Sequence, residues 1–250
     1  IRRQRQMCIR DRQAVAQFDG TALTPALAEA TTIHRFALPA GQFEDQFTEK
    51  IVRLPASAPF LPFGEAPPVN GLPALSNGYM TFGSFNRPNK VTRSVVALWS
   101  QVLRALPESR MLLGALPQGE NESLVQWFAQ EGIARERLQL HPRSDMKGYM
   151  ALHHEVDVCL DTYPYNGGTT TLHALWMGVP TLSLAGKTAV SRSGAAIMGH
   201  VDLQSFVAQD AQELVEQAKG WAGNLEALSR IRAELRQRFA NSDMGQPAVV

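Results

Sequence analysis

From Tyr79 to Phe239 the apolar residues fall into two alternating patterns. Compact runs have the length and near-continuous hydrophobicity of strands buried on both faces: YMTFGSF (79–85), RMLLGAL (110–116), RLQLH (137–141), VDVCL (156–160) and PTLSLAG (180–186). Between the first two, Val95, Val96, Leu98, Trp99, Val102, Leu103 and Leu106 recur at helical spacing. NESLVQWFAQEG (121–132) adds an Asn start and a Gly stop to the same period. SDMKGYMALHH (144–154) predicts a short helix with Ser144 as its N-cap, and a helix beginning near Thr169 is closed by Gly178. SRSGAAIMGH, AQELVEQAKGWA and LEALSRIRAELRQRF continue as helices to Phe239. Such alternation predicts an α/β fold over residues 76–240: a Rossmann-like parallel sheet with helices on both faces.

The preceding part is less regular. Residues 13–54 carry a short helical pattern at 25–30 capped by Thr24, a strand-like TIHRFAL (32–38) and a second strand-like stretch in FTEKIVRLP (47–55). These pieces are too few to build a core of their own. Residues 55–75 hold six prolines between Pro55 and Pro73, with Gly64 and Gly71 among them, and predict a linker running over a surface. Residues 1–12, IRRQRQMCIRDR, show no apolar period and resemble translated adapter sequence; they are expected to be a non-native or disordered segment, with a basic nucleic-acid arm as the other reading. Residues 241–250 are expected to be a truncated tail.

Composition narrows the function classes. The 250 residues are 44% hydrophobic and 19% charged, enough apolar material for a sizeable core. A formal net charge of +1 gives no global case for nucleic acid or a membrane surface as partner. Cys8 and Cys159 lie far apart and imply neither a disulfide framework nor a metal set, which favours a reducing, cytoplasmic location.

The candidate chemistry lies in DTYPYNGGTTTLHALWMGVP (161–180), where a strand passes through Asn166, Gly167, Gly168, Thr169, Thr170 and Thr171 into a helix. A helix start has unpaired N–H groups and a partial positive charge, which suit an anion. Glycines permit close approach of the backbone, and threonine hydroxyls add donors. Two readings stay open on composition: a phosphate or diphosphate cradle, or a tight turn with an N-cap threonine. The loop NRPNK after the first strand bears on the choice. It places Asn86, Arg87 and Lys90 at the same carboxyl edge of the sheet, where a cation would complement an anion held at the helix start.

TEKIVRLP, TFGSFNRPNK, DVCLDTYPYNGGTTTLHALWMGVP and SRSGAAIMGH, in that order, resemble the C-terminal catalytic lobe of protein O-GlcNAc transferases, most closely the bacterial and SPINDLY-like branches of that glycosyltransferase family. The likeness runs from about residue 44 to residue 240. It implies a GT-B architecture, two Rossmann-like lobes with the nucleotide sugar in the cleft between them, and inverting, metal-independent transfer of GlcNAc to protein Ser/Thr hydroxyls. UDP-GlcNAc is then a donor substrate and no cofactor is expected. Residues 76–240 become the UDP-sugar-binding lobe, and residues 13–54 a remnant of the N-terminal catalytic lobe. The rest of that lobe, tetratricopeptide repeats and a protein acceptor are the partners implied.

Carried across by position, the resemblance makes Lys90 the lysine that contacts the diphosphate and assists departure of the nucleotide. Gly168, Thr169 and Thr170 take the diphosphate-cradling positions, Tyr149 presents a ring to the uracil, and Arg143 and Ser144 lie in the loop whose backbone faces the base. The chain departs from the family pattern at three points. His173 stands where better-studied members place an acid near the ribose, Gly168 replaces a histidine of the animal enzymes, and Arg87 replaces a glutamine. Two rivals remain on sequence alone: a non-catalytic UDP-binding fragment, and another GT-B enzyme such as a nucleotide-sugar epimerase.

Overall fold

A computed structural model describes residues 30–34, 36–54, 60–119 and 121–246. The Arg-rich start and the expected cap Thr24 fall outside these residues, as does the helical pattern at 25–30 except Ala30, which opens a strand. β1 (Ala30–His34) pairs in parallel with β2 (Lys50–Leu54), so the strand expected at 32–38 sits slightly earlier in the chain.

Six strands form the main sheet: β3 (Thr81–Ser84), β4 (Arg110–Leu116), β5 (Leu138–Pro142), β6 (Val158–Leu160), β7 (Thr181–Leu184) and β8 (Val207–Ala208). All pair in parallel, in the order β5-β4-β3-β6-β7-β8. The chain winds outward from β3 to β5, returns to β6 beside β3, and winds outward again. Strand order therefore reverses between β3 and β6, which pair through Phe82 with Val158 and Gly83 with Cys159. In an open parallel sheet, that reversal opens a crevice at the carboxyl edge.

The helices are α1 (Pro73–Asn77), α2 (Arg93–Ala105), α3 (Glu122–Gln130), α4 (Met146–Leu152), α5 (Thr169–Trp176), α6 (Ser193–Gly199), α7 (Ala211–Ala222) and α8 (Leu225–Asn241). Strand alternation distributes them over both faces. Met111, Leu113, Val158 and Leu160 join a core with Val95, Val96, Trp99, Val102 and Leu103 of α2. Leu112 and Cys159 point the other way, into a second core with Met150 of α4 and Ala174 and Met177 at α5. Burying each large apolar side chain of α2 contributes about 1.5–3 kcal/mol, so the stripe read from the sequence is what fixes this helix to the sheet. The expected α/β class, a parallel sheet covered on both faces, is the one observed.

Local signals differ from expectation in one cap. Asp145, not Ser144, caps α4, its carboxylate accepting from Gly148 N–H at 2.8 Å. The longer side chain one residue later is the one in register with the third N–H of the helix. Gly178 does close α5: it has φ +77°, and a Cβ there would lie 2.6 Å from Val69 and 2.8 Å from the Arg232 carbonyl.

Residues 60–72 have no regular secondary structure and are strapped to α5 and α8. Phe60 N–H donates to Met244 C=O, and its buried ring meets His173, Trp176 and Phe239. Arg232 of α8, 1% exposed, donates to the carbonyls of Asn70, Val156 and His153, a set of acceptors that offsets the cost of burying a guanidinium. Residues 36–54 pack against α6 through Ala37, Leu38, Phe43 and Ala196, and Arg192 Nε donates to the Ala37 carbonyl at 2.7 Å. Among the described residues no helix is long and apolar enough to cross a membrane.

Candidate functional site

At the carboxyl edge, where strand order reverses, an open cleft of about 680 Å³ is lined by every residue expected at the site: Asn86, Arg87, Lys90, Arg143, Ser144, Tyr149, Asn166, Gly167, Gly168, Thr169, Thr170 and His173. The loops after β3 and β6 form one end, and the loop before α4 together with the α4 helix forms the other.

The first end is organised by Asp161, a fully enclosed carboxylate one residue beyond β6. It accepts from Gly167 N–H at 2.6 Å, Thr162 N–H at 2.8 Å and Ser183 Oγ at 2.8 Å, folding residues 162–168 back over the strand end. Burial pushes the Asp161 carboxyl up, opposed by those three donors and by Lys90. Inside the loop, Thr162 Oγ1 donates to the Tyr165 carbonyl and Asn166 Nδ2 to the Thr162 carbonyl, at 2.7 and 2.8 Å. The Tyr163–Pro164 bond is cis.

From the neighbouring strand, the short turn Pro88–Lys90 aims Lys90 at this loop. Lys90 Nζ donates to the Asn166 carbonyl at 2.8 Å and lies 4.1 Å from the centroid of the Tyr165 ring. Burial lowers its pKa, Asp161 works the other way, and Arg87 adds to the lowering. Thr170 Oγ1 donates to Asn86 Oδ1 at 3.2 Å, a second tie between the two loops. Arg87 and Thr169 are exposed to the cleft.

The two glycines do different work. A Cβ on Gly167 would lie 2.6 Å from Thr171 Oγ1 and 3.0 Å from Thr170 Oγ1, so its bareness is required by loop packing. A Cβ on Gly168 would meet nothing within 4 Å, and Gly168 is the N-cap of α5 with no side-chain hydrogen bond. The helix start thus has open space beside it and no side-chain cap, an arrangement that suits an anion. Of the two readings open on composition, the tight turn with a threonine cap is not what forms: Gly168 occupies the cap.

The second end is aromatic and more open. Arg143 and Ser144 are exposed. The Tyr149 hydroxyl lies 3.2 Å from His173 Nδ1, and the Tyr149 ring meets Phe85, His153 and His173 edge-on. Burial pushes the Tyr149 phenol up and the His173 imidazole down, so both are neutral near pH 7. Beneath them His153 stacks on Phe85 at 3.9 Å, and burial lowers its pKa to about 3.

Several further residues shape the site. Asp161 was within the glycine–threonine stretch, and a carboxylate directly after an apolar strand was the available signal. Gly194 is needed because a Cβ there would lie 2.0 Å from Ser183 Oγ and 2.6 Å from Asp161 Oδ2, which only the folded geometry reveals. Ala115 lines the cleft with φ +58° where the β4 register shifts between Leu113 and Leu116, and nothing local predicts that.

Comparison with known proteins gives concordant matches. The family described as “Glycosyl transferase family 41” matches residues 71–246. The probable UDP-N-acetylglucosamine–peptide N-acetylglucosaminyltransferase SPINDLY of Petunia hybrida is 37% identical over 206 residues, 80% of this chain and 22% of that protein. The UDP-N-acetylglucosamine–peptide N-acetylglucosaminyltransferase of Caenorhabditis elegans is 25% identical over 161 residues, 64% of this chain and 14% of that one. A solved structure of a Thermobaculum terrenum O-GlcNAc transferase mutant aligns with TM-score 0.75 at 31% identity, covering 87% of this chain and 42% of that chain. The chain thus spans about a fifth of the length of the curated relatives it matches.

Proposed function

The chain belongs to glycosyl transferase family 41, and from that premise we propose that it is the donor-binding lobe of an enzyme that transfers GlcNAc from UDP-GlcNAc to Ser or Thr hydroxyls of proteins. Its sheet is the C-terminal lobe of a GT-B fold. The observation that carries the reading is the fastening of Lys90 Nζ to the Asn166 carbonyl, across 76 positions of chain, beside the uncapped start of α5. A cation and a set of N–H donors are held together before any ligand arrives.

In this reading the diphosphate lies between Lys90 and the Gly168–Thr170 turn, with Asn86 and Arg87 at its side. The base lies toward Arg143, Ser144 and Tyr149, and the ribose near His173. As the bond between the sugar C1 and the diphosphate oxygen breaks, negative charge grows on the departing UDP. Donors fixed in advance stabilise that charge without reorganising, and removing one typically costs about 2.7–4 kcal/mol. Lys90 and the helix start supply the positive charge in place of a metal ion, and transfer proceeds with inversion at C1. The relatives' names carry both donor and acceptor class: UDP-N-acetylglucosamine and peptide.

The remainder of the enzyme, with the acceptor site and tetratricopeptide repeats, belongs to a longer, cytoplasmic parent chain. Residues 13–54 belong to the first catalytic lobe and residues 55–75 link it to the second. The test is a transfer assay on the full-length parent with UDP-GlcNAc and Ser/Thr peptides, with and without EDTA. Sugar on peptide, undiminished by the chelator, is the expected result. Absence of transfer from UDP-GlcNAc, or its loss in EDTA, contradicts the reading.

A further inference from the structure

Tyr165 lines the cleft yet is 47% exposed, too open to be explained as core packing. Its backbone is nonetheless fixed. Its carbonyl accepts from Thr162 Oγ1 at 2.7 Å, and the next residue, Asn166, donates its N–H to the Val190 carbonyl at 3.2 Å and its Nδ2 to the Thr162 carbonyl. Its ring meets Lys90, the ammonium lying 4.1 Å from the ring centroid.

We propose that Tyr165 is a positioning residue for Lys90: its ring face and the adjoining Asn166 carbonyl together hold the lysine ammonium at the diphosphate end of the cleft. A lysine is a point charge on a four-carbon stem and is poorly placed by one contact alone. Here two consecutive residues of one locked loop supply a ring quadrupole and a carbonyl acceptor, which confine it from two directions. The ring also acts on charge. Burial disfavours the ammonium, and Arg87 from the Lys90 loop opposes it. Asp161 from the end of β6 favours it, and a ring face under the cation works in the same direction. The contact with the ammonium uses the ring face, not the phenol oxygen, so phenylalanine keeps it.

As a role in donor binding this rests on the UDP reading above, and the test separates the two. UDP titrations by calorimetry compare the chain as it stands with Tyr165→Phe, Tyr165→Leu, Lys90→Met and the Tyr165→Leu/Lys90→Met double variant. Tyr165→Leu should weaken UDP about two- to thirty-fold, the range of a cation–π contact, while Tyr165→Phe stays within about twofold. In the Lys90→Met background the Leu substitution should have no further effect. An equal loss in both backgrounds, or no loss with Lys90 present, overturns the inference and leaves the donor site standing. If the unaltered chain binds no UDP, the donor reading fails, and a second measurement still decides this one. In lysine-methylated protein observed by carbon-13 NMR, the Lys90 signal, identified by its loss in Lys90→Met, should be shifted upfield by the ring and should move downfield in Tyr165→Leu but not in Tyr165→Phe. A Lys90 signal indifferent to all three residues overturns it without any ligand.

Discussion

At the end of the cleft that holds Lys90 and Gly168, each loop is fastened to another: Asp161 holds Gly167, Thr162 and Ser183, Lys90 holds Asn166, and Thr170 holds Asn86. At the end that holds Arg143 and Tyr149, the loop is exposed and the wall is a set of rings in edge and stacked contact, with polar ties from Tyr149 to His173 and His153 and, among the described residues, none between the loop's side chains and α5. The difference follows the chemistry proposed for each end. Charge that develops during a reaction is stabilised best by donors that need not move, whereas a flat base is held by apolar surface and a few adjustable polar contacts.

The largest consequence of this contrast is at Lys90. Lys90→Met should reduce transfer by the full-length parent by about 100- to 1,000-fold, equivalent to about 2.7–4 kcal/mol, while melting stays where it was. A turnover measurement on the variant decides, and unchanged turnover removes Lys90 from the chemistry.

A next, smaller effect is structural. Asp161→Ala leaves two backbone N–H groups and the Ser183 hydroxyl without their acceptor in a buried place, and should cost about 2–3 kcal/mol of stability along with most of the UDP affinity. Urea unfolding gives the first quantity and calorimetry the second. A stable Asp161→Ala protein that binds UDP normally would show the diphosphate end to be less interlocked than described.

The two glycines sharpen the same contrast within one dipeptide. Gly167→Ala must displace Thr170 and Thr171 and should destabilise by about 1–3 kcal/mol. Gly168→Val meets no neighbour and should cost only what a poorer N-cap costs, about 1 kcal/mol, yet weaken UDP tenfold or more, about 1.4 kcal/mol. Paired melts and titrations separate packing from ligand contact, and a reversal of the two phenotypes would relocate the cradle.

Acid should loosen the aromatic end through His153. Its pKa in the fold is lowered to about 3 by burial, against an ordinary 6.5. The folded state keeps it neutral, so the stability it contributes is fully present above about pH 6.5 and is lost as pH falls toward 3, by about 1.4 kcal/mol per unit. Unfolding free energies measured from pH 7 to 5 should show this slope, and His153→Asn should lack it. An identical pH dependence in the variant would assign the slope to other groups.

Much of this was readable beforehand, for identifiable reasons. Apolar spacing gave the strands and helices because each is buried in one core or the other, and the α2 stripe Val95, Val96, Trp99, Val102, Leu103 is buried as its spacing predicts. The residues expected at the site do line one cleft, because most sit in loops at strand ends or helix starts on the same edge, with Tyr149 and His173 one turn further along α4 and α5. What sequence could not give depends on distant chain. That β3 and β6 are neighbours is set by the winding of the whole sheet. The different duties of Gly167 and Gly168 depend on which side Thr171 fills. Ser144 and Asp145 are both competent caps, and only the backbone course selects Asp145. Phe60, from a proline-rich stretch read as a surface linker, turns out to pack against His173.

The central claim is that the diphosphate half of a UDP-sugar site is complete within this chain. A thermal melt of the 250-residue protein with and without UDP, run beside a radiolabelled sugar-transfer assay on the same sample, tests it most directly. At about 100 times its dissociation constant, UDP should add about 2.7 kcal/mol, raising the melting temperature by about 5–10 °C. No sugar should be transferred, because holding both reactants in attack geometry, worth about 7–11 kcal/mol, requires the acceptor half as well. A melting temperature indifferent to saturating UDP would contradict the account at its base, and robust transfer by this chain alone would contradict its division of the site between two lobes.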